Sequence, residues 1–295
     1  MGADVEIILG VVLNSCPPIY LEDDMCVSAE QEEKFQTVSL MVDASGVAHL
    51  ALNRPEVHNA FNETMIEELT RCFHLLSSSD KVRLVVLSSN GSVFCAGADL
   101  AWMKRASENG LDANHQDATR FAEMMRAIYE CQKPVIARVN GGAFGGGVGL
   151  LCACDIVVAS DRAKFAVTEA RFGILPAVIG PYLIESVGVR EAKRLALSAS
   201  SVDALEAQRI GLIHVVTTSE SLDEQLEKLL SELGRNGPTA LEEIKGLFNS
   251  VSARPIDEDV IKLTASTIAR VRSTDEAKEG FAAFFDKRRP SWSSR

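Results

Sequence analysis

The fold is decided by residues 134–149, which read PVIARVNGGAFGGGVG. The first six residues form a short apolar run that is typical of a buried strand. Asn140-Gly141-Gly142 ends that strand, and the remaining glycines open a helix. A glycine-rich turn between a strand and a helix lets a ligand reach free backbone N–H groups. Close packing of the chain on itself is the alternative reason for such a turn.

A second strand-to-helix turn has the same character. Phe94-Cys95-Ala96-Gly97-Ala98-Asp99-Leu100 follows the apolar strand predicted at Leu84 to Ser88. Two N–H groups aimed at one oxygen form an oxyanion hole, in which each donor contributes about 2.7–4 kcal/mol to transition-state stabilisation. A nucleotide-binding loop is disfavoured, because no Gly-Lys-Ser/Thr follows the glycines and no ribose-binding acid follows at the usual spacing.

The surrounding pattern predicts an α/β core followed by helices. Strands at Val38–Val42, Val47–Leu52 and Ile156–Ala159 alternate with helices at Asn62–Leu76 and Asp117–Cys131. After Leu222 the pattern is nearly all helical, with candidates at 222–233, 239–251, 257–272 and 274–285. We therefore expect a core over residues 35–220 and a helical region over 221–295. Residues 1–34 carry eight acidic residues and one lysine, and we expect a poorly ordered extension that is neither a secretory nor a mitochondrial signal.

Composition excludes several classes of protein. The formal net charge of -11 disfavours nucleic acid as a partner. No apolar run reaches the roughly 20 residues of a membrane helix. The seven cysteines are odd in number and form no CxxC pair, so we expect reduced cysteines in a cytoplasmic protein with no metal site.

Five stretches together resemble the enoyl-CoA hydratase/isomerase (crotonase) superfamily, over about residues 35–292. They are Asn53-Arg54-Pro55, Phe94–Leu100, Lys133–Ala137, Asn140–Gly147 and Cys154-Asp155-Ile156. The resemblance implies an α/β crotonase-like spiral of ββα units with a helical C-terminal trimerisation region. It also implies an acyl-CoA substrate, no separate cofactor, and a homotrimer or a dimer of trimers.

The resemblance also assigns residues. The backbone N–H groups of Ala98 and Gly146 would form the oxyanion hole, and Glu169 would be the acid/base carboxylate. A lone glutamate such as Glu169 is otherwise usually a surface charge. Residues expected to bind substrate or coenzyme A are Ala96, Gly97, Asp99, Leu100, Gly145, Gly149, Arg171 and Lys287. Lys287 would approach the adenine or ribose phosphate, in some relatives across a subunit boundary.

The familiar short-chain hydratases use two glutamates, and the first falls at Gly149 in this chain. A single carboxylate is also what many isomerases of the family use, so a Δ3,Δ2-enoyl-CoA isomerase is the alternative reaction. The segments around Trp102, Gly149 and Pro176 are similar to those of bacterial methylglutaconyl-CoA hydratases of leucine degradation and of a sister group acting on isoprenoid glutaconyl-CoAs. Hydration of 3-methylglutaconyl-CoA is therefore the leading expectation.

A non-catalytic acyl-CoA binder or RNA binder is the alternative from another class. One hydratase of the superfamily binds RNA through a lysine-rich helix, but the matching helix here, 62–79, has no lysine.

Two further expectations concern named side chains. Arg171 is the candidate to bind a distal carboxylate of the acyl chain, with Arg138 as a rival. A surface position, or a pair with Asp161, is the alternative for Arg171. The phenylalanines near the C-terminus would lie in a subunit interface or in the core of a single chain: Phe281, Phe284 and Phe285.

Overall fold

A computed structural model describes residues 35–294, which contain nine strands and ten helices. The predicted extension at residues 1–34 lies outside the described residues. The strands are β1 Val38–Val42, β2 Val47–Leu52, β3 Leu84–Ser89, β4 Val135–Val139, β5 Ala143–Phe144, β6 Ile156–Ser160, β7 Lys164–Ala166, β8 Val202–Asp203 and β9 Val215–Thr217. The helices are α1 Glu63–Ser78, α2 Leu100–Glu108, α3 Leu111–Tyr129, α4 Gly146–Ala153, α5 Gly180–Ser198, α6 Ala204–Arg209, α7 Leu222–Gly234, α8 Pro238–Val251, α9 Glu258–Arg272 and α10 Asp275–Phe285.

The main sheet has six strands in the order β1-β2-β3-β4-β6-β9. The hairpin partner β1 runs antiparallel to β2, and the other neighbouring strands are parallel. Parallel strands have their carboxyl ends at one edge, where α/β proteins place their ligands. The chain leaves β3 and β4 at that edge and enters the two glycine-containing turns. This sheet confirms the α/β class expected from the sequence.

The alternating side chains of the sheet divide between two apolar clusters. Val85, Leu87 and Val139 face the cluster that includes buried residues of α1, α3 and α4. Leu84, Val86 and Ile136 face the opposite cluster, where α7 contributes its buried leucines, Leu222, Leu226 and Leu230. Both faces of the sheet are therefore covered, as its continuous apolar strands predict. The predicted boundary between residues 220 and 221 falls just before α7, which packs on the core.

The last three helices are attached to the core by few buried residues. Among the described residues, α8, α9 and α10 each bury one side chain: Lys245, Val260 and Ala283. The Lys245 ammonium lies 2.7 Å from Asp155 Oδ2, and this pair ties α8 to the end of α4. Because Asp155 Oδ2 also accepts from the Val135 N–H, the ion pair is anchored in the sheet.

These helices expose several large apolar side chains. Phe284 and Phe285 are 77% and 75% exposed, and Phe281 is also exposed. Further exposed apolar side chains of the same region are Ile244, Phe248, Ile256, Ile261 and Ile268. The alternative in which the three phenylalanines form the core of a single chain is therefore wrong. Several large apolar side chains exposed on neighbouring helices favour a protein interface in this region.

Candidate active site

A second, small sheet brings the two glycine-containing turns together. Strands β5 and β7 are parallel, and the bridge between Cys95 and Ala143 places the first turn beside β5. A parallel bridge between Phe61 and Ala98 adds a further segment at the outer edge. Segments 94–98, 143–146 and 165–169 therefore run side by side in one direction. The residues that follow them must meet at one place, since strands of this sheet end together.

The backbone N–H of Ala98 points away from Phe61, its partner in the parallel bridge. The Phe61 N–H donates to Gly97 O at 2.7 Å, and the Asp99 N–H donates to Phe61 O at 2.8 Å. In a parallel bridge, the residue between those two bonds directs its own N–H away from its partner. Within residues 35–294, the Ala98 N–H has no protein acceptor. The predicted donor is thus free to bind a ligand oxygen.

The second predicted donor, Gly146, is the first residue of α4. Its N–H has no intrahelical partner by geometry, and none of the described residues accepts from it. The preceding Gly145 has a φ of 51°, which a residue with a side chain adopts only at a cost. A Cβ added to Gly97 would lie 2.9 Å from Phe144 O, so the two turns are in direct contact. The glycines therefore allow close packing, and that packing brings the two donors together.

Glu169 lies beside the same turns. It follows β7 and begins a short 3-10 helix that ends at Phe172. A Cβ added to Gly145 would lie 3.2 Å from Glu169 Oε1. Glu169 Oε2 is buried and has no hydrogen-bond partner among the described residues. Glu169 is therefore not a solvated surface charge, which was the alternative expected for a lone glutamate.

Burial raises the pKa of the Glu169 carboxyl above its usual range, although the backbone N–H groups of Glu169 and Thr168 act in the opposite direction. A carboxyl with a raised pKa takes up and releases a proton at a higher pH than an ordinary glutamate does. Such groups are typical of acid/base sites.

Gly149, where the first family glutamate would stand, is closed off by other side chains. A Cβ at Gly149 would lie 2.2 Å from Ile179 Cγ2 and 3.4 Å from Met125 Cε. The residue is buried beneath Ile179, so packing accounts for this glycine better than the predicted contact with substrate does. Glu169 is consequently the carboxylate that the structure places at the donor turns.

The residues on either side of Ala98 differ in what they contact. Ala96 and Leu100 are exposed, as a coenzyme A contact requires. Asp99 is engaged by the protein, because its Oδ1 accepts from the Ala101 N–H at 2.8 Å and its Oδ2 lies 2.9 Å from Arg54 Nη2. The Asp99 carboxylate therefore caps α2 and fixes the turn. Its backbone is engaged as well, because its N–H donates to Phe61 O and its carbonyl accepts from the Met103 N–H, each at 2.8 Å.

Of the three predicted cations, two are bonded to other groups of the protein and the third lies after α10. Arg171 donates from Nη2 to Ala199 O at 2.6 Å, at the left-handed residue that ends α5. This bond explains Arg171 by chain packing, and the expected grip on a distal carboxylate is not supported. Its rival Arg138 pairs with Asp223 at 2.6 Å. Lys287 is exposed after α10, and no contact within residues 35–294 joins its side chain to either donor turn.

Two aromatic residues of the site were not identified from the sequence. Phe61 and Phe121 have ring centroids 5.4 Å apart. A Cβ added to Gly146 would lie 3.0 Å from Phe121 Cζ and 3.1 Å from Phe61 Cε2, so both rings lie directly against this glycine. They form an apolar wall beside the second donor. Their sequence signal is that of any core aromatic residue, so spacing alone could not single them out.

The described part of the chain has no group of three or more potential metal ligands. The five cysteines in it are buried, as their apolar sequence context predicts: Cys72, Cys95, Cys131, Cys152 and Cys154. Cys16 and Cys26 lie outside the described residues. Among helices of residues 35–294, none combines the length and apolarity that crossing a bilayer requires.

Comparisons with known proteins agree with this geometry. Residues 43–295 match the sequence model of a family described as enoyl-CoA hydratase/isomerase. A putative enoyl-CoA hydratase of Thermus thermophilus is 36% identical over 251 residues, which cover 85% of this chain and 99% of that protein. A mitochondrial Delta(3,5)-Delta(2,4)-dienoyl-CoA isomerase of Dictyostelium discoideum is 30% identical over 260 residues, covering 84% and 88%. The crystal structure of an enoyl-CoA hydratase from Shewanella pealeana superposes with a TM-score of 0.84 at 36% identity, covering 88% of this chain and 97% of that one.

Proposed function

The chain belongs to the enoyl-CoA hydratase/isomerase family, and we propose that it adds water across the conjugated double bond of an enoyl-CoA. The observation that carries the proposal is the position of Glu169. Its Oε1 lies beside Gly145, the residue before the free N–H group of Gly146, and its Oε2 is buried without a partner among the described residues. One acid/base group and two anion-stabilising donors are the parts that hydration through a thioester enolate requires.

In the proposed reaction, the thioester oxygen accepts from the N–H groups of Ala98 and Gly146. Glu169 takes a proton from a water molecule whose oxygen bonds to C3 of the acyl chain. The electron pair of the double bond moves onto the thioester oxygen as an enolate, which the two donors stabilise. Glu169 then returns its proton to C2, so that the elements of one water molecule have been added and the carboxylate is regenerated. The reaction consumes no cofactor, since coenzyme A is part of the substrate.

Glu169 serves as base and then as acid because no second carboxylate stands at Gly149. Ile179 fills that side of the site. The raised pKa of Glu169 fits both steps, since a group that titrates nearer neutral pH exchanges its proton more readily there.

For the substrate, we propose a branched, carboxylated enoyl-CoA, with 3-methylglutaconyl-CoA of leucine or isoprenoid catabolism as the first candidate. The support is the similarity of the segments around Trp102, Gly149 and Pro176 to those of methylglutaconyl-CoA hydratases. We also place the protein in the cytoplasm, where reducing conditions suit buried thiols such as those of Cys95, Cys152 and Cys154.

We further propose that the exposed apolar faces of α8, α9 and α10 assemble a trimer, or a dimer of trimers. Lys287, which follows α10 and has a left-handed φ of 53°, would then lie near the coenzyme A of a neighbouring subunit.

Isomerisation of a Δ3-enoyl-CoA is the second candidate, and one observation favours it. Ile179 and Met125 form an apolar wall at Gly149, where the first family glutamate would stand. The single carboxylate of Glu169 can move a proton between carbons there without binding water. The unpartnered Glu169 oxygen disfavours a non-catalytic role, because a buried polar atom without a hydrogen bond destabilises the fold and simple binding does not require it.

An activity screen separates these candidates. The purified protein is assayed with 3-methylglutaconyl-CoA, crotonyl-CoA and 3-hexenoyl-CoA, and the products are identified by mass. We expect a mass gain of one water on the first substrate at the highest kcat/KM. Conversion of 3-hexenoyl-CoA to an isomer of the same mass, with no hydration of the other two, would contradict hydration. No turnover of any of the three would favour a binder.

A further inference from the structure

The indole of Trp102 lies on the inner side of α2, close to the first donor turn. Trp102 is in the first turn of α2, four residues after Ala98, and its backbone N–H donates to Asp99 Oδ1 at 3.3 Å. Helical side chains tilt toward the helix N-terminus, so this ring leans back over the turn that carries Ala98. The ring packs against the main apolar cluster, whereas Leu100 on the same helix is 80% exposed.

The Trp102 Nε1–H is buried without an acceptor. In residues 35–294, two buried side-chain polar atoms have no hydrogen-bond partner, and they are Trp102 Nε1 and Glu169 Oε2. Such an atom costs about 1–3 kcal/mol, and the N–H of a buried tryptophan usually has a partner. One of the two atoms belongs to the proposed acid/base, and the other lies on the helix that starts two residues after Ala98. Unpaired polar atoms of this kind mark places where a ligand completes the bonding.

Resting on the proposed function, we infer that Trp102 Nε1–H donates to an oxygen on the acyl group beyond the double bond. Trp102 would thus be a specificity-determining residue that selects acyl chains ending in a carboxylate over alkyl chains. The cations first expected to do this are engaged elsewhere. Arg171 is bonded to Ala199 O, and Arg138 is paired with Asp223.

A neutral donor defines where the carboxylate can lie. One N–H cannot offset the complete burial of a charge, so the second carboxylate oxygen must keep its contact with water. The exposed outer face of α2 provides that access, because none of its residues is fully buried. The geometry therefore places the distal carboxylate at the edge of the acyl pocket, bonded on one side to Trp102 and hydrated on the other.

The test measures ligand binding without turnover. Glutaryl-CoA and pentanoyl-CoA have acyl chains of equal length, differ in the terminal carboxylate, and lack the double bond. Their Kd values are measured by calorimetry on the wild type, on Trp102→Phe and on the control Trp292→Phe. Trp292 is a suitable control, because its Nε1 donates to Arg235 O and its ring lies against Gly280.

We expect Trp102→Phe to reduce the preference for glutaryl-CoA over pentanoyl-CoA by about tenfold or more, the scale of a hydrogen bond to a charged group. Trp292→Phe should leave the preference unchanged. An equal loss of affinity for both ligands in Trp102→Phe would mean that the indole only packs, and would overturn the inference.

Fluorescence provides a test that does not require the Trp102 variant to fold. The chain has two tryptophans, so Trp292→Phe leaves Trp102 as the only one. A hydrogen bond from its Nε1 to a carboxylate should shift the emission to longer wavelength with glutaryl-CoA and not with pentanoyl-CoA. Identical spectra with both bound ligands would contradict the inference. The two proposals fail separately: hydration without any effect of Trp102 overturns this one alone, and a Trp102-dependent preference without hydration overturns the proposed reaction alone.

Discussion

Gly149→Ala is the substitution for which the structure gives the sharpest expectation. The added Cβ would lie 2.2 Å from Ile179 Cγ2 and 2.8 Å from Ile179 Cβ, well inside van der Waals contact. Ile179 is 1% exposed and is the N-cap residue of α5, so it has little room to move. Overpacking of this kind typically costs about 1–3 kcal/mol, which exceeds the roughly 1 kcal/mol that alanine gains over glycine inside a helix.

Thermal unfolding followed by circular dichroism measures this cost. A chain of this size loses roughly 2–4 °C of Tm per kcal/mol, so Gly149→Ala should unfold several degrees below the wild type. Gly246→Ala is the matched control, because Gly246 is also inside a helix, α8, and a Cβ there meets no atom within 4 Å. That control should be as stable as the wild type or slightly more so.

A double-mutant cycle assigns the cost to Ile179. Ile179→Ala alone should destabilise by about 2–5 kcal/mol, and the pair should cost less than the sum of the single changes by about 0.5–3 kcal/mol. A Gly149→Ala protein as stable as Gly246→Ala would refute the claim that Ile179 closes the first glutamate position. It would also reopen Gly149→Glu as a route to a second catalytic carboxylate.

Four further expectations follow from the site and the fold. Because burial raises the pKa of Glu169, kcat/KM should fall with decreasing pH already above the ordinary glutamate range; a fall confined to that range would contradict the assignment. Gly146→Pro removes a donor N–H and should reduce kcat by about 10²–10³-fold in a protein that circular dichroism shows to be folded; an active enzyme would exclude this donor. Lys245→Ala strands Asp155 and should destabilise by about 3–5 kcal/mol in urea unfolding, whereas a change within 0.5 kcal/mol would show the pair to be unimportant. Sedimentation should give a species of at least three times the chain mass of 31.9 kDa, and a monomer at micromolar concentration would argue against assembly through the exposed phenylalanines.

The sequence predicted most of the regular elements, because their apolar periodicity is local. The expected strands Val38–Val42 and Val47–Leu52 are confirmed residue for residue, and the four C-terminal helices differ from expectation by one residue at most at each end. The small sheet was harder to predict, since β5 and β8 have two residues each. Strands of that length show no alternation, although β5 and β7 bring the donor turn and Glu169 together.

Contacts between distant segments account for what the sequence could not show. Arg171 bonds to Ala199, which ends α5, a helix that we did not predict from the sequence. Lys245 and Asp155 are 90 positions apart in the sequence, and Ile179 and Gly149, which are in contact, are 30 positions apart. The two donors and Glu169 could be named in advance through the resemblance, whereas the side chains that shape the pocket could not.

The most direct test of the account is the rate of enoyl-CoA hydration by Glu169→Gln. The amide keeps the shape of the side chain but cannot take a proton from water, so kcat should fall by about 10²–10⁴-fold, the usual contribution of general acid–base catalysis. Binding of the saturated glutaryl-CoA, measured by calorimetry on the same preparation, should be retained and shows that the site is intact. Turnover close to that of the wild type, in a Glu169→Gln protein that binds this ligand normally, would show that the buried carboxylate is not the acid/base of the reaction.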